Sequence, residues 1–125
     1  MHTILVVEDD AEIRELVADV LQEAGYEVVQ AANGQEALDW LRDAAGKPCA
    51  ILLDLMMPVL SGPELLEIMA EDKRLAALPV IVVSAIAERG NAPGVKRFLR
   101  KPVSSTVLRK VVAEYCAGPA GAGAC

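Results

Sequence analysis

Aromatic residues are nearly missing from this chain: one Trp, two Tyr and one Phe in 125 residues. Its apolar content is instead Ala, Val and Leu, which suits thin helices packed on a sheet. No apolar run reaches the roughly 18–20 residues that a membrane span needs. The opening Met1-His2-Thr3 carries no charged n-region, and Glu8, Asp9 and Asp10 interrupt the apolar run that follows, which argues against a signal peptide. The three cysteines, Cys49, Cys116 and Cys125, lack metal-ligand spacing and are odd in number, so reduced thiols in a cytoplasmic protein are expected. His2, the single histidine, stands alone near the N-terminus and is assigned no role. A net charge of −6 argues against general nucleic-acid binding.

The charge is unevenly spread. Residues 1–88 hold 17 acidic and 5 basic side chains, whereas residues 89–125 hold 7 basic and 1 acidic. Within that frame, short apolar runs alternate with amphipathic stretches. Ile4–Val7 has the continuous apolar character of a strand buried on both faces. Ile13, Leu16, Val17, Val20 and Leu21 recur at helical spacing, and Gly25 stands where a glycine would end that helix. Tyr26–Ala31 reads as a second strand, and Asn33 can cap a second helix with Ala37, Leu38 and Leu41 inward. Cys49–Leu53 is a third strand. Gly62-Pro63-Glu64 opens a helix running to about Glu71, with Pro early, where its missing N–H costs nothing. Pro79–Val83 and Arg97–Arg100 complete the strands. Ser104 or Ser105 caps a last helix, with Val107, Leu108, Val111, Val112 and Tyr115 inward. One domain over residues 1–116 is expected, followed by a disordered Gly- and Ala-rich tail at 117–125.

Strands alternating with helices predict an α/β fold, a parallel sheet joined by right-handed crossovers with helices on both faces. In such sheets the working site lies beyond the carboxyl ends of the strands. The first strand ends at Glu8-Asp9-Asp10, the third at Asp54, the fourth at Ser84 and the fifth at Lys101. Carboxylates gathered there repel one another, and would either raise each other's pKa values or require a cation. Mg²⁺ suits them, because it uses few carboxylates and keeps several waters. Asp54 could then act as an oxygen nucleophile towards phosphorus. Mg²⁺, Lys101 and the Ser84 hydroxyl could each neutralise one phosphoryl oxygen.

The segments ILVVEDD (4–10), DLMMPVLSG (54–62), VIVVSA (80–85) and FLRKP (98–102), in that order, resemble the response-regulator receiver domain, over roughly residues 3–116. The resemblance implies a doubly wound, five-stranded sheet of order 2-1-3-4-5. It implies Asp54 as phosphoacceptor, and Glu8 and Asp9 as the acidic pair holding Mg²⁺, with the Met56 backbone carbonyl as a further ligand. Ser84 matches the switch hydroxyl and Phe98 the rotating aromatic. Lys101 matches the family's lysine, whose bond to the following proline is cis. A histidine kinase is the implied phosphodonor, with acetyl phosphate as a substitute, and no independent enzyme activity is expected beyond assistance to the domain's own phosphoryl transfer and dephosphorylation.

Simpler roles compete with each of these assignments. Asp10 can be a helix N-cap, the Glu8–Asp9 pair a capping feature too, Ser84 a turn residue, Lys101 a solvated charge and Phe98 plain core. A flavodoxin-like flavin site would need hydroxyls and free N–H groups where three acids stand. A haloacid-dehalogenase-like phosphatase would carry its nucleophile at the end of strand 1. A receiver-like interaction module working without phosphorylation is the remaining alternative. No DNA-binding helix pair follows residue 116, so output through a protein–protein contact is expected unless the sequence is a piece of a longer chain. Between Ser84 and Lys101 lie only 16 residues, including Gly90, Pro93 and Gly94. A fourth helix between the last two strands is therefore expected to be a single turn or an irregular loop. Arg89, Lys96, Arg97, Arg100, Arg109 and Lys110 suggest a basic patch that steers an acidic protein partner.

Overall fold

The computed structural model describes residues 2–43, 48–54, 61–84 and 95–116. Five parallel strands, β1 (Thr3–Val7), β2 (Glu27–Ala31), β3 (Ala50–Leu53), β4 (Val80–Ser84) and β5 (Val95–Arg100), form one sheet of order β2-β1-β3-β4-β5. The helices are α1 (Ala11–Glu23), α2 (Gly34–Arg42), α3 (Gly62–Ala70), a four-residue α4 (Lys73–Ala76) and α5 (Ser105–Cys116). The expected class and strand order are those observed.

Alternation along each central strand sorts the side chains into two cores. Leu5, Val7, Ile51, Leu53, Val80 and Val82 face one side, where Leu38, Leu41, Leu65 and Met69 from α2 and α3 cover them. Ile4, Val6, Ala50, Leu52 and Ile81 face the other, under Leu21 of α1 and Leu108, Val111 and Val112 of α5. Trp40 packs against the first core, and Tyr26 and Tyr115 against the second.

The helix ends follow local chemistry. Gly25 adopts φ of 101°, which lets its N–H reach the Gln22 carbonyl and that of Tyr26 reach Leu21. Asn33 accepts from the Glu36 N–H at 2.8 Å. Ser61 and Glu64 make a reciprocal capping box at the start of α3, and Pro63 falls in its first turn. Ser104 accepts from the Val107 N–H at 3.1 Å, so it is the serine at the head of α5.

Several expectations are corrected. Leu16 is 65% exposed and Val107 44% exposed. At about 100° per residue, Leu16 lies about 140° round α1 from Leu21, and Val107 about 100° round α5 from Leu108, at the margins of the buried stripes. Cys49 and Cys116 are not free thiols: they form a disulfide, with Cα atoms 5.4 Å apart. Helices run antiparallel to the strands they follow, so the last residue of α5 returns to the end of the sheet where β3 begins. The two cysteines are 67 residues apart in sequence, and only the fold brings them together. The helix α4 was not foreseen; Asp72 caps it and Leu75 buries beneath it. β5 begins at Val95, two residues before expectation. The expected irregular fourth crossover, up to residue 94, and the expected tail at 117–125 lie outside the described residues. No helix among the described residues is long and apolar enough to cross a membrane.

Candidate functional site

At the carboxyl end of the sheet, the backbone ladder runs one residue past three strands. The Glu8 N–H donates to the Ala31 carbonyl at 3.1 Å, that of Asp54 to Val7 at 3.0 Å, and that of Lys101 to Ser84 at 2.9 Å. Glu8, Asp54 and Lys101 therefore issue from backbone positions as fixed as those of the strands. Glu8, Asp54 and Ser84 are buried, whereas Asp9 is exposed.

One carboxylate oxygen from each of Glu8, Asp9 and Asp54 lies within 4.8 Å of the others. Octahedral Mg²⁺ holds its oxygens about 2.1 Å away, hence no more than about 4.2 Å from each other. The donor set fits such an ion after a small contraction. Oxygen-only ligands, two of them buried, are the chemistry a hard divalent cation selects.

Lys101 brings a positive charge to two of these carboxylates. Its Nζ lies 2.5 Å from Glu8 Oε1 and 3.5 Å from Asp54 Oδ2. Burial alone would push its pKa down. The hydrogen bond to Glu8 and the charges of Asp54 and Glu8 outweigh that effect and hold the ammonium above its ordinary value. The peptide bond from Lys101 to Pro102 is cis, as the resemblance implied.

The other expected residues divide. Asp10 caps α1, accepting from the Glu12 and Ile13 N–H groups at 3.0 and 3.2 Å. Ser84 closes β4 and is fully buried. Phe98 lies within β5, partly buried against the core under α2 and α3. Met56, the proposed carbonyl ligand, lies outside the described residues. Beside the carboxylates, an apolar cleft of about 510 Å³ runs between α1 and α5, lined by Ile13, Leu16, Val17, Val103 and Leu108 among others. Glu8, Asp54 and Lys101 stand in the same wall, so their charges interact across a less polar medium than water.

One neighbour of the site was missed. Arg14, in the second turn of α1, donates from Nη1 to the Glu8 carbonyl at 2.8 Å. The available signal was its isolation: Arg14 is the single Lys or Arg in residues 1–41, within a strongly acidic segment.

The family model described as "Response regulator receiver domain" matches residues 4–113. The chain belongs to this family. Receiver domains are signalling domains of two-component phosphorelays rather than enzymes in the ordinary sense; they take phosphate from histidine kinases and act on downstream targets. The chain is 31% identical to the polar-differentiation response regulator DivK of Brucella anthropi, over 90% of this chain and 94% of DivK. Among solved receivers, the chemotaxis response regulator CheY4 of Vibrio cholerae superimposes with a TM-score of 0.83 at 31% identity, covering 92% of this chain and 98% of CheY4. The response regulator TrrA of Thermotoga maritima, in complex with Mg²⁺ and BeF, gives 0.79 at 31% identity, covering 92% and 99%.

Proposed function

We propose that Asp54 is the phosphoacceptor of this receiver, that Glu8, Asp9 and Asp54 hold Mg²⁺, and that Lys101 and Ser84 stabilise the transferred group. The observation that carries the reading is the convergence of three carboxylates and one lysine at adjacent strand ends. An Asp54 carboxylate oxygen attacks the phosphorus of a phosphohistidine. The P–N bond breaks, the imidazole leaves, and an acyl phosphate forms. Bound Mg²⁺ supplies charge neutralisation at a phosphoryl oxygen. Lys101, already 3.5 Å from Asp54, needs only to turn from Glu8 to meet a second oxygen. The Ser84 hydroxyl donates to a third. Hydrolysis returns the carboxylate and inorganic phosphate, assisted by the same groups. TrrA, solved in complex with Mg²⁺ and BeF, gives a precedent in the family for a bound Mg²⁺.

Incubation with Mg²⁺ and acetyl phosphate, followed by intact mass, tests the assignment. Wild type should gain one phosphate mass that is labile to hydroxylamine, and Asp54→Asn should gain none. Labelling of Asp54→Asn equal to wild type, or no labelling of wild type, would refute it; the latter would favour a module that works without phosphorylation.

Output in this reading is contact with an acidic protein. The patch is smaller than the sequence suggested, because Arg97 pairs with Glu114 at 2.6 Å. Arg100, Arg109, Lys96 and Lys110 keep the excess, and Arg89 lies outside the described residues. Charge reversal at Arg100 and Arg109 should slow association with the native target, and an on-rate indifferent to salt would count against the idea. The reading places the protein in the cytoplasm, with its kinase. The Cys49–Cys116 disulfide is unusual for that compartment, and rapid alkylation of cell extracts would report its state there.

A further inference from the structure

We infer that Arg14 is a positioning residue for the metal site, acting on Glu8 through the backbone rather than through its carboxylate. This rests on the reading of Glu8, Asp9 and Asp54 as the cation site. Glu8 is held at four atoms. Its N–H donates to Ala31 and its carbonyl accepts from Arg14; Oε1 takes Lys101 at 2.5 Å, and Oε2 takes the Asp10 N–H at 3.2 Å. The Lys101 bond has to open when the lysine turns to a phosphoryl group and the carboxylate turns to a cation. The Asp10 bond engages a carboxylate oxygen that the cation also wants. The backbone bonds to Ala31 and Arg14 are the two that persist through that exchange.

The guanidinium is itself held in place. Its Nε donates to Gln30 Oε1 at 3.3 Å, on the edge strand β2, and Arg14 is only partly exposed. The backbone N–H of Arg14 donates to the Asp10 carbonyl at 2.9 Å within α1. Arg14 thus ties the first turns of α1, strand β2 and the β1–α1 junction together, at the segment from which Glu8 and Asp9, two of the three acids, issue. A planar fork with several donors can make both side-chain bonds at once, whereas an ammonium is a single point.

Two roles for Arg14 predict opposite signs. As a bare positive charge near the acids, it would repel an incoming cation, and its removal would tighten binding. As a positioning group it organises the acids, and its removal loosens binding. Partners of this indirect kind typically change metal affinity about 10–100-fold when lost, and one acting through a carbonyl should fall lower, at about 3–10-fold.

The test is Mn²⁺ binding to the whole protein, followed by the EPR signal of free Mn²⁺, with melting temperature measured alongside. Arg14→Met should weaken Mn²⁺ binding about 3–10-fold. Gln30→Leu, which keeps the Arg14 charge but frees its fork, should weaken binding about 2-fold. Arg14→Lys should recover part of the loss. Arg14→Met binding Mn²⁺ as tightly as wild type, or more tightly, overturns the proposal. So does an equal loss in Arg14→Met and Arg14→Lys accompanied by equal falls in melting temperature, which would mark a purely structural role. Failure of wild type itself to bind Mn²⁺ would instead sink the cation site, and this inference with it.

Discussion

The two ends of the sheet are built on opposite plans. At the carboxyl end, β1 and β3 deliver three carboxylates within 4.8 Å of one another, with one lysine set against them. At the amino end, a disulfide ties the residue before β3 to the last residue of α5, beside wholly apolar neighbours such as Ile4 and Val112. The first end holds like charges that an incoming group must relieve. The second is closed by a covalent link set among apolar side chains. A switch needs a site that gains energy on modification and a body that does not yield when the site changes. Separating the two along the strand axis lets one chain satisfy both.

The largest effect expected in this contrast is at the amino end. A link closing a 67-residue separation contributes about 4 kcal/mol in the chain-entropy limit, and about 2–4 kcal/mol is typical. Reduced protein should melt about 8–15 °C below oxidised protein. Its rate of labelling by acetyl phosphate should stay within about twofold while it remains folded. A larger drop in rate would show that the two ends are coupled, and an unchanged melting temperature would remove the staple from the account.

A smaller effect is expected at the carboxyl end. If the Mg²⁺ Kd is about 1 mM, 10 mM Mg²⁺ stabilises the folded state by about 1.4 kcal/mol, or about 4–6 °C in melting temperature. The Glu8→Gln/Asp9→Asn double variant should lose that response. An equal response in variant and wild type would mean that the ion binds elsewhere. Without metal, Asp54→Asn should melt slightly above wild type, since one repelling charge has gone. Lys101 limits this gain, because it already offsets part of the repulsion.

The smallest effect is on pH dependence. Lys101 has a pKa raised by its partners above the ordinary lysine value, so its contribution is fully present below the unfolded-state pKa, about 10.4. It is lost as pH rises through the higher folded value. Wild type should therefore lose stability more steeply above about pH 10.5 than Lys101→Met does. Parallel curves would show that the ion pairs with Glu8 and Asp54 do not contribute.

Much of this was legible in the chain because the physics is local. Alternating apolar strands and helical stripes specify the layers, and parallel connectivity places Glu8, Asp9, Asp54, Ser84 and Lys101 at one sheet end. Caps at Asp10, Asn33 and Ser104 and the turn at Gly25 depend on neighbours within four residues. Leu16 and Val107 were misread because spacing identifies a stripe but not its edges, which depend on how far the neighbouring elements reach. The short helix α4 escaped because four residues carry no periodicity.

Sequence by itself determined the fold class, the strand order through resemblance, and the residue types gathered at the carboxyl edge. Only the tertiary structure decided which groups pair there: Lys101 with Glu8 more closely than with Asp54, Arg14 with a backbone carbonyl, Arg97 with Glu114, Cys49 with Cys116. The physical reason is range. Secondary structure follows from interactions a few residues long, whereas these pairs join residues 6 to 93 positions apart, most of them across elements whose mutual placement the packed sheet alone defines.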